Sequence, residues 1–165
     1  MTSSLKTITL FSFLLLSGLD WSQACVDQPR AASCSQMCPA GWKQRLGSCY
    51  RLTAKLTWAD AKEACLAMGA VMAAPLTQLE NDILAAIIKT EGLGRVWLAC
   101  DDLEEEGEWV CRDGTTATDF RNWKRGEPND EYNREDCACI AKRALWKWFD
   151  VPCSLRYSAF CKFVP

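Results

Sequence analysis

The apolar residues of this chain are spaced in three different ways. Residues 8–16 form a short, mostly apolar run. Between Thr57 and Ile87 apolar residues recur at steps of three and four. From Val96 onward they gather into short blocks, separated by segments rich in Asp, Glu, Asn, Gly and Pro.

The middle region predicts two helices. Thr57 is placed to cap the first, with Asp60 at the position where a capping box prefers Glu or Gln. Trp58, Ala61, Cys65 and Met68 then share one face. Gly69 suits the left-handed residue that ends a helix. Thr77 and Glu80 make a complete capping box for the second helix, whose apolar stripe is Leu79, Ile83, Ala86 and Ile87. Both stripes read as core faces, not ligand grooves.

Strands are expected on either side of the helices. Residues 38–42 and 47–52 predict a short hairpin, which a Cys38–Cys49 bridge would close. Residues 96–99 and 108–111 are apolar or alternating blocks bounded by Gly and acidic residues, and residues 137–141 and 159–163 predict closing strands. Residues 115–133 have no periodicity, and an irregular loop of that length is unusual in a compact domain unless it is functional. Helices come before strands, with no βαβ alternation, so the expected class is α+β.

The first apolar run reads as a secretory signal. It is too short to span a bilayer, and Ser22-Gln23-Ala24 is a small-residue cleavage site. A retained signal anchor is the alternative, disfavoured because no longer apolar segment follows. The expected organisation is a signal at 1–24, a cysteine-containing arm at 25–37 and a folded domain at 38–165, with no membrane span in the exported protein.

Composition sharpens this picture. All 11 cysteines lie beyond Ala24, a density that in an exported chain means disulfides, and their odd number leaves at least one unpaired within the chain. There is no histidine. Histidine-dependent nucleophiles, general bases and imidazole metal sites are therefore excluded, and no enzyme constellation stands out. The net charge is −2 with basic residues scattered among acids, so nucleic acid is not an expected partner.

The candidate chemistry lies in the second half. Glu127-Pro128-Asn129-Asp130, Glu135-Asp136-Cys137 and Trp148-Phe149-Asp150 gather oxygen donors on loops, which is what a hard cation such as Ca2+ requires. The acidic run Asp101-Asp102-Leu103-Glu104-Glu105-Glu106-Gly107-Glu108 reads as a solvated loop unless other acids fold beside it. Cys100 and Cys111 flank that run, and a bridge between them would pin its ends.

Several ordered motifs together resemble the C-type lectin domain family over residues 38–163. They are Cys38-Pro39-x-Gly41-Trp42, Trp58-x-x-Ala61-x-x-x-Cys65, Val96-Trp97-Leu98, Glu106-Gly107-x-Trp109, Glu127-Pro128-Asn129, Glu135-Asp136-Cys137 and Trp148-x-Asp150-x-x-Cys153. The resemblance implies a C-type lectin-like fold, with two helices, antiparallel sheets and a long calcium-binding loop region. It implies bridges Cys65–Cys161 and Cys137–Cys153, with Cys38–Cys49 as the extra bridge of the longer form. Cys100 and Cys111 depart from the family pattern together and are expected to pair. Cys25, Cys34 and Cys139 are left over, so a disulfide-linked homo-oligomer through one of them is an expectation.

The resemblance also implies a primary Ca2+ site on Glu127, Asn129, Glu135 and Asp150, with a cis bond before Pro128, and an auxiliary site on Asp102, Glu106, Asp130 and Asp136. Vicinal sugar hydroxyls would complete the primary shell. The Glu-then-Asn order resembles mannose-type members, so mannose-like glycans are the expected partner of a secreted lectin. Phe149 departs from the pattern. The family carries Asn there, which supplies a calcium oxygen and an amide donor. Ring packing on a sugar is one compensation. Loss of sugar binding is the alternative, leaving the fold to engage a protein, a mineral or ice, as fish antifreeze proteins of this fold do. Lys142, Arg143 and Lys147 are expected to be solvated charges, and Trp146 and Trp148 core or rim.

Overall fold

Side-chain alternation along three neighbouring strands divides the interior into two cores. Residues 38–114 and 116–165 are described in a computed structural model. The elements are β1 (Lys43–Arg45), β2 (Ser48–Leu52), α1 (Trp58–Ala67), β3 (Val71–Met72), α2 (Gln78–Thr90), β4 (Arg95–Asp101), β5 (Val110–Asp113), β6 (Thr116–Ala117), β7 (Cys137–Ala141), a 3-10 turn at Lys142–Ala144, β8 (Lys147–Val151) and β9 (Ser158–Phe163). Successive strand residues face opposite sides of a sheet. Val96, Leu98, Ile140 and Trp148 thus join Leu84 and Ile88 of α2 in one core, while Trp97, Cys139, Phe149 and Val151 join Trp58 and Cys65 of α1 in the other.

The sheet runs β1-β2-β9-β4-β5-β6, with β3 beside β9, and β7 between β4 and β8. The strand pairs are antiparallel as expected, with one addition: β4 and β9 pair in parallel, Val96 opposite Ser158. The chain reaches β9 from β4 only after β5–β8 are laid down, and that long excursion permits a parallel return. The α+β class and the two helices stand as expected, the helices being those among the described residues.

Both helix starts are capped by threonine. Thr57 Oγ1 accepts from the Asp60 N–H at 3.3 Å, and Thr77 Oγ1 from the Glu80 N–H at 3.2 Å. α1 closes with Gly69 at φ +68°, the Ala70 N–H reaching Cys65 O at 3.0 Å, which satisfies a terminal carbonyl. In α2 the expected stripe holds for Ile83 and Ile87, which pack in the core, and fails for Leu79 and Ala86. Leu79 is 59% exposed, whereas Glu80, Asn81, Leu84, Ala85, Ile87 and Ile88 are buried. Two polar residues belong to the inward face because they have partners there. Glu80 accepts from the Tyr50 hydroxyl, from Lys162 and from the Leu76 N–H, and Asn81 Oδ1 accepts from Trp148 Nε1 at 2.7 Å. A search for apolar residues alone passes over such a face.

Strand edges also shift. The first strand begins at Lys43, since Pro39 and Gly41 shape a turn closed by Trp42 N–H to Pro39 O at 3.1 Å. β5 begins at Val110, because the Glu108 N–H bonds back to Glu105 O. β8 was not expected as a strand at all, yet it pairs with β7 over five residues.

Four disulfides join Cys38 to Cys49, Cys65 to Cys161, Cys100 to Cys111 and Cys137 to Cys153. Cys100 and Cys111 sit directly opposite each other on β4 and β5. Cys139 is free, but it is fully buried opposite Phe149, and burial pushes its thiol up to about 12. It therefore cannot serve as the intermolecular link considered above. Cys25 and Cys34, with the proposed signal and arm, lie outside the described residues. No helix among the described residues is long and apolar enough to cross a membrane.

Candidate cation and ligand site

β8 organises the long loop from both ends. Its Trp148 N–H donates to Asn122 O at 2.9 Å and its Trp148 O accepts from the Lys124 N–H at 3.0 Å, so residues 122–124 run along its edge. Two residues on, Asp150 Oδ2 accepts from the N–H groups of Asn129 (2.8 Å) and Asp130 (2.6 Å). The Glu127–Pro128 bond between these anchors is cis. Asn129 Nδ2 donates to Glu127 Oε2 at 2.5 Å. Downstream, the Glu135 N–H donates to Asp130 Oδ1 at 3.1 Å, and Glu135 Oε2 accepts from the Glu131 N–H at 3.2 Å. The Cys137–Cys153 bridge ties the start of β7 to the segment just after β8.

These bonds bring Glu127, Asn129, Glu135 and Asp150 to the wall of a single cavity of about 480 Å³. Asp150 is 2% exposed, and its Oδ1 has no hydrogen-bond partner among the described residues. An unsatisfied buried carboxylate oxygen is costly, and here it faces other acids. Burial, then the neighbouring Asp150 carboxylate, push Glu127 up to about 7, against the pull of Lys124. Glu135 is raised too, first by burial, with Asp150 and Glu131 adding like charge. A divalent cation held among these groups would relieve the repulsion and occupy the orphaned oxygen, so the donor set fits Ca2+ in chemistry, although Glu127, Glu135 and Asp150 do not bring their oxygens within 4.8 Å of one another as the second acidic group does.

A second acidic group forms around Asp136. Oxygens of Asp102, Glu106 and Asp136 all come within 4.8 Å of one another. Asp102 is 4% exposed, its Oδ2 accepts from the Gly107 N–H at 3.0 Å, and its Oδ1 has no partner among the described residues. Burial and then Asp136 raise its carboxyl, against the Gly107 hydrogen bond. Asp130 stands outside this trio, its Oδ1 engaged with the Glu135 N–H.

Phe149 does not do what sequence alone allowed. It is 6% exposed and belongs to the α1-side core, so its ring is not a free face for a sugar. Arg143 and Lys124 cover it instead, their cationic groups 4.6 and 4.9 Å from the ring centroid. Arg143 is exposed, as expected of a surface charge, and it also lines the cavity, together with Arg95, Lys124 and Glu131. Sequence reasoning missed these three. The one usable signal was Lys124 standing three residues before Glu127, to which it comes within 3.8 Å. Trp148 is fully buried core, and Trp146 packs partly buried against the α2-side core.

Fold and site together define a disulfide-stapled α+β domain that carries clustered oxygen donors on a loop anchored by one strand. The Lectin C-type domain model matches residues 54–163, and the chain belongs to that family. It is similar to Collectin-11 of Bos taurus, 38% identical over 63% of this chain and 38% of that protein, and to Ladderlectin of Oncorhynchus mykiss, 33% identical over 74% of this chain and 66% of that one. The chain therefore spans less than two thirds of the length of these relatives. Among solved structures it resembles the Ca2+-free form of a Ca2+-dependent type II antifreeze protein, with a TM-score of 0.68 and 30% identity over 76% of this chain and 99% of that chain.

Proposed function

We propose that this protein is a secreted, calcium-dependent carbohydrate-binding lectin. Glu127, Asn129, Glu135 and Asp150 hold the primary ion, and the bound Ca2+ supplies open coordination positions for ligand oxygens. Asp102, Glu106 and Asp136 hold an auxiliary ion that fixes the loop from behind. The observation that carries this reading is the buried, unpartnered Asp150 Oδ1 in a cavity shared with three further oxygen-bearing side chains. Family membership supports it, since collectins and Ladderlectin are among the relatives. The Glu-then-Asn order around Pro128 favours mannose-like hydroxyl pairs. Export after residue 24, with a folded domain at 38–165, fits the four disulfides. Any disulfide-linked oligomer then runs through Cys25 or Cys34.

The protein's own residues define a division of labour. Asp150 holds the loop through two backbone N–H groups, while its other carboxylate oxygen stays buried with no hydrogen-bond partner among the described residues. The Asn129 amide and the Glu127 carboxylate supply a donor and an acceptor to the same hydroxyl pair.

A second reading is favoured by Phe149, which brings neither an oxygen ligand nor an amide donor to the cavity. In it the domain binds calcium but presents its loops to a protein, a mineral or ice. Similarity to a Ca2+-dependent antifreeze protein supports that reading. Calcium-dependent retention on immobilised mannose, with release by chelator, decides between them. Calorimetric calcium binding without retention on any sugar column sinks the lectin reading and leaves the second.

A further inference from the structure

We infer that this cavity selects an anionic sugar, one carrying a carboxylate or sulfate beside its hydroxyl pair, and that Arg143 is the residue that reads the charge. The inference rests on the calcium-lectin reading above and adds the class of ligand.

Three observations support it. First, the side chain that replaces the expected amide donor is not itself available. Phe149 is buried, and its ring serves as the platform on which Arg143 and Lys124 rest. A guanidinium stacked on a ring is held in place yet keeps its in-plane N–H donors free.

Second, the three cations of the cavity differ in what they have left to give. Arg95 already donates to the Tyr157 hydroxyl at 2.7 Å. Lys124 stands 3.8 Å from Glu127 Oε1. Arg143 is exposed and has no ion-pair partner among the described residues. Of the two guanidiniums at the cavity wall it is the one with no hydrogen bond among the described residues, and its planar fork matches the two oxygens of a carboxylate or sulfate.

Third, the charge balance changes sign when the ion is bound. The wall carries four carboxylates, on Glu127, Glu131, Glu135 and Asp150, against the three cations. A divalent ion among those carboxylates turns a net negative cavity into a net positive one. A neutral sugar gains nothing from that reversal, whereas an anionic one is drawn to the ion and to Arg143 together.

Matched monosaccharides test this. Methyl mannoside, methyl mannosiduronate with a free carboxylate, and methyl mannoside 6-sulfate share the ring hydroxyls and differ at carbon 6 alone. They are titrated into the whole chain by calorimetry, with calcium at saturation. We expect one or both charged sugars to bind about tenfold more tightly than methyl mannoside, the scale of a charge-assisted hydrogen bond. The two charged arms distinguish carboxylate from sulfate. Arg143→Gln brings the charged-to-neutral ratio toward one, Arg143→Lys restores part of it, and raising the salt concentration shrinks it. Equal affinity for all three sugars overturns the inference and leaves the lectin reading standing. A preference that survives Arg143→Gln unchanged overturns the assignment to Arg143. Calcium binding with no heat from any of the three removes both this inference and the lectin reading.

Discussion

Protons and calcium should compete for Glu127. In the metal-free protein this carboxyl is held up to about 7 by burial and by the carboxylate of Asp150 beside it. Calcium needs the ionised form, so binding expels the proton. The sign is fixed by the upward shift: below about pH 7 the site is protonated and affinity falls, and above it affinity is level. One competing proton of that pKa weakens apparent affinity about tenfold at pH 6 and about 100-fold at pH 5, relative to pH 8 and above. Glu135 is shifted the same way and steepens the acid limb. The metal-free fold shows the linked effect. A carboxyl whose folded pKa exceeds its unfolded value of 4.5 binds its proton more tightly when folded, so stability falls as pH rises from that value toward 7. Calorimetry in buffers of differing ionisation enthalpy counts the protons directly. We expect about half a proton released per ion from Glu127 at pH 7, rising toward one at pH 6. Glu127→Gln keeps an oxygen ligand, binds more weakly and loses most of the dependence between pH 6 and 8. Level affinity from pH 6 to 8 in the unaltered protein, with no proton release, refutes the reasoning.

Other perturbations probe the scaffold. Phe149→Asn installs the amide that the family pattern carries, but it removes a buried ring from the α1-side core. We expect it to lower unfolding free energy by about 3–5 kcal/mol in a urea titration, whatever it does to sugar affinity. Lys162→Met strands the carboxylates of Glu80 and Asp113, both bonded to Lys162 and no more than 9% exposed at the side chain. We expect a loss of about 3–5 kcal/mol at neutral pH, smaller in acid where the carboxyls become neutral. Cys139→Ala should leave the non-reducing gel pattern unchanged, and should lower by one the thiols that react only after denaturation, because this sulfur is fully buried.

What could be read from the sequence is what local physics decides. Threonine caps, a left-handed glycine and a β-type alternation are set by near neighbours, so both helices and most strands were legible. The Cys100–Cys111 pair was legible because two unusual cysteines bracket one short excursion between strands. β8 was hidden because its residues, Lys147–Val151, mix an exposed lysine, two aromatics and a carboxylate. No alternation betrays a strand whose polar member turns inward to hold a loop. The α2 face was misread in part for a similar reason. Glu80 and Asn81 are buried by partners on β2, β8 and β9, far away in the chain.

The site shows the same limit more sharply. Acidic and amide residues announced themselves by type and spacing, and four of them do line one cavity. The cations that share it come from three separate places: the start of β4, the loop before Pro128 and the 3-10 turn after β7. Nothing in their local sequence marks them as neighbours. Two of them, Lys124 and Arg143, meet over Phe149, the residue that looked like a defect when judged against a family pattern. Its ring lies buried beneath two positive groups. A substitution that removes a neutral donor therefore also provides the platform on which charged donors stand. That coupling is why Phe149 and Arg143 must be judged together. An asparagine at position 149 has no ring to hold the guanidinium in place, so the amide it restores comes with the loss of the cation's platform.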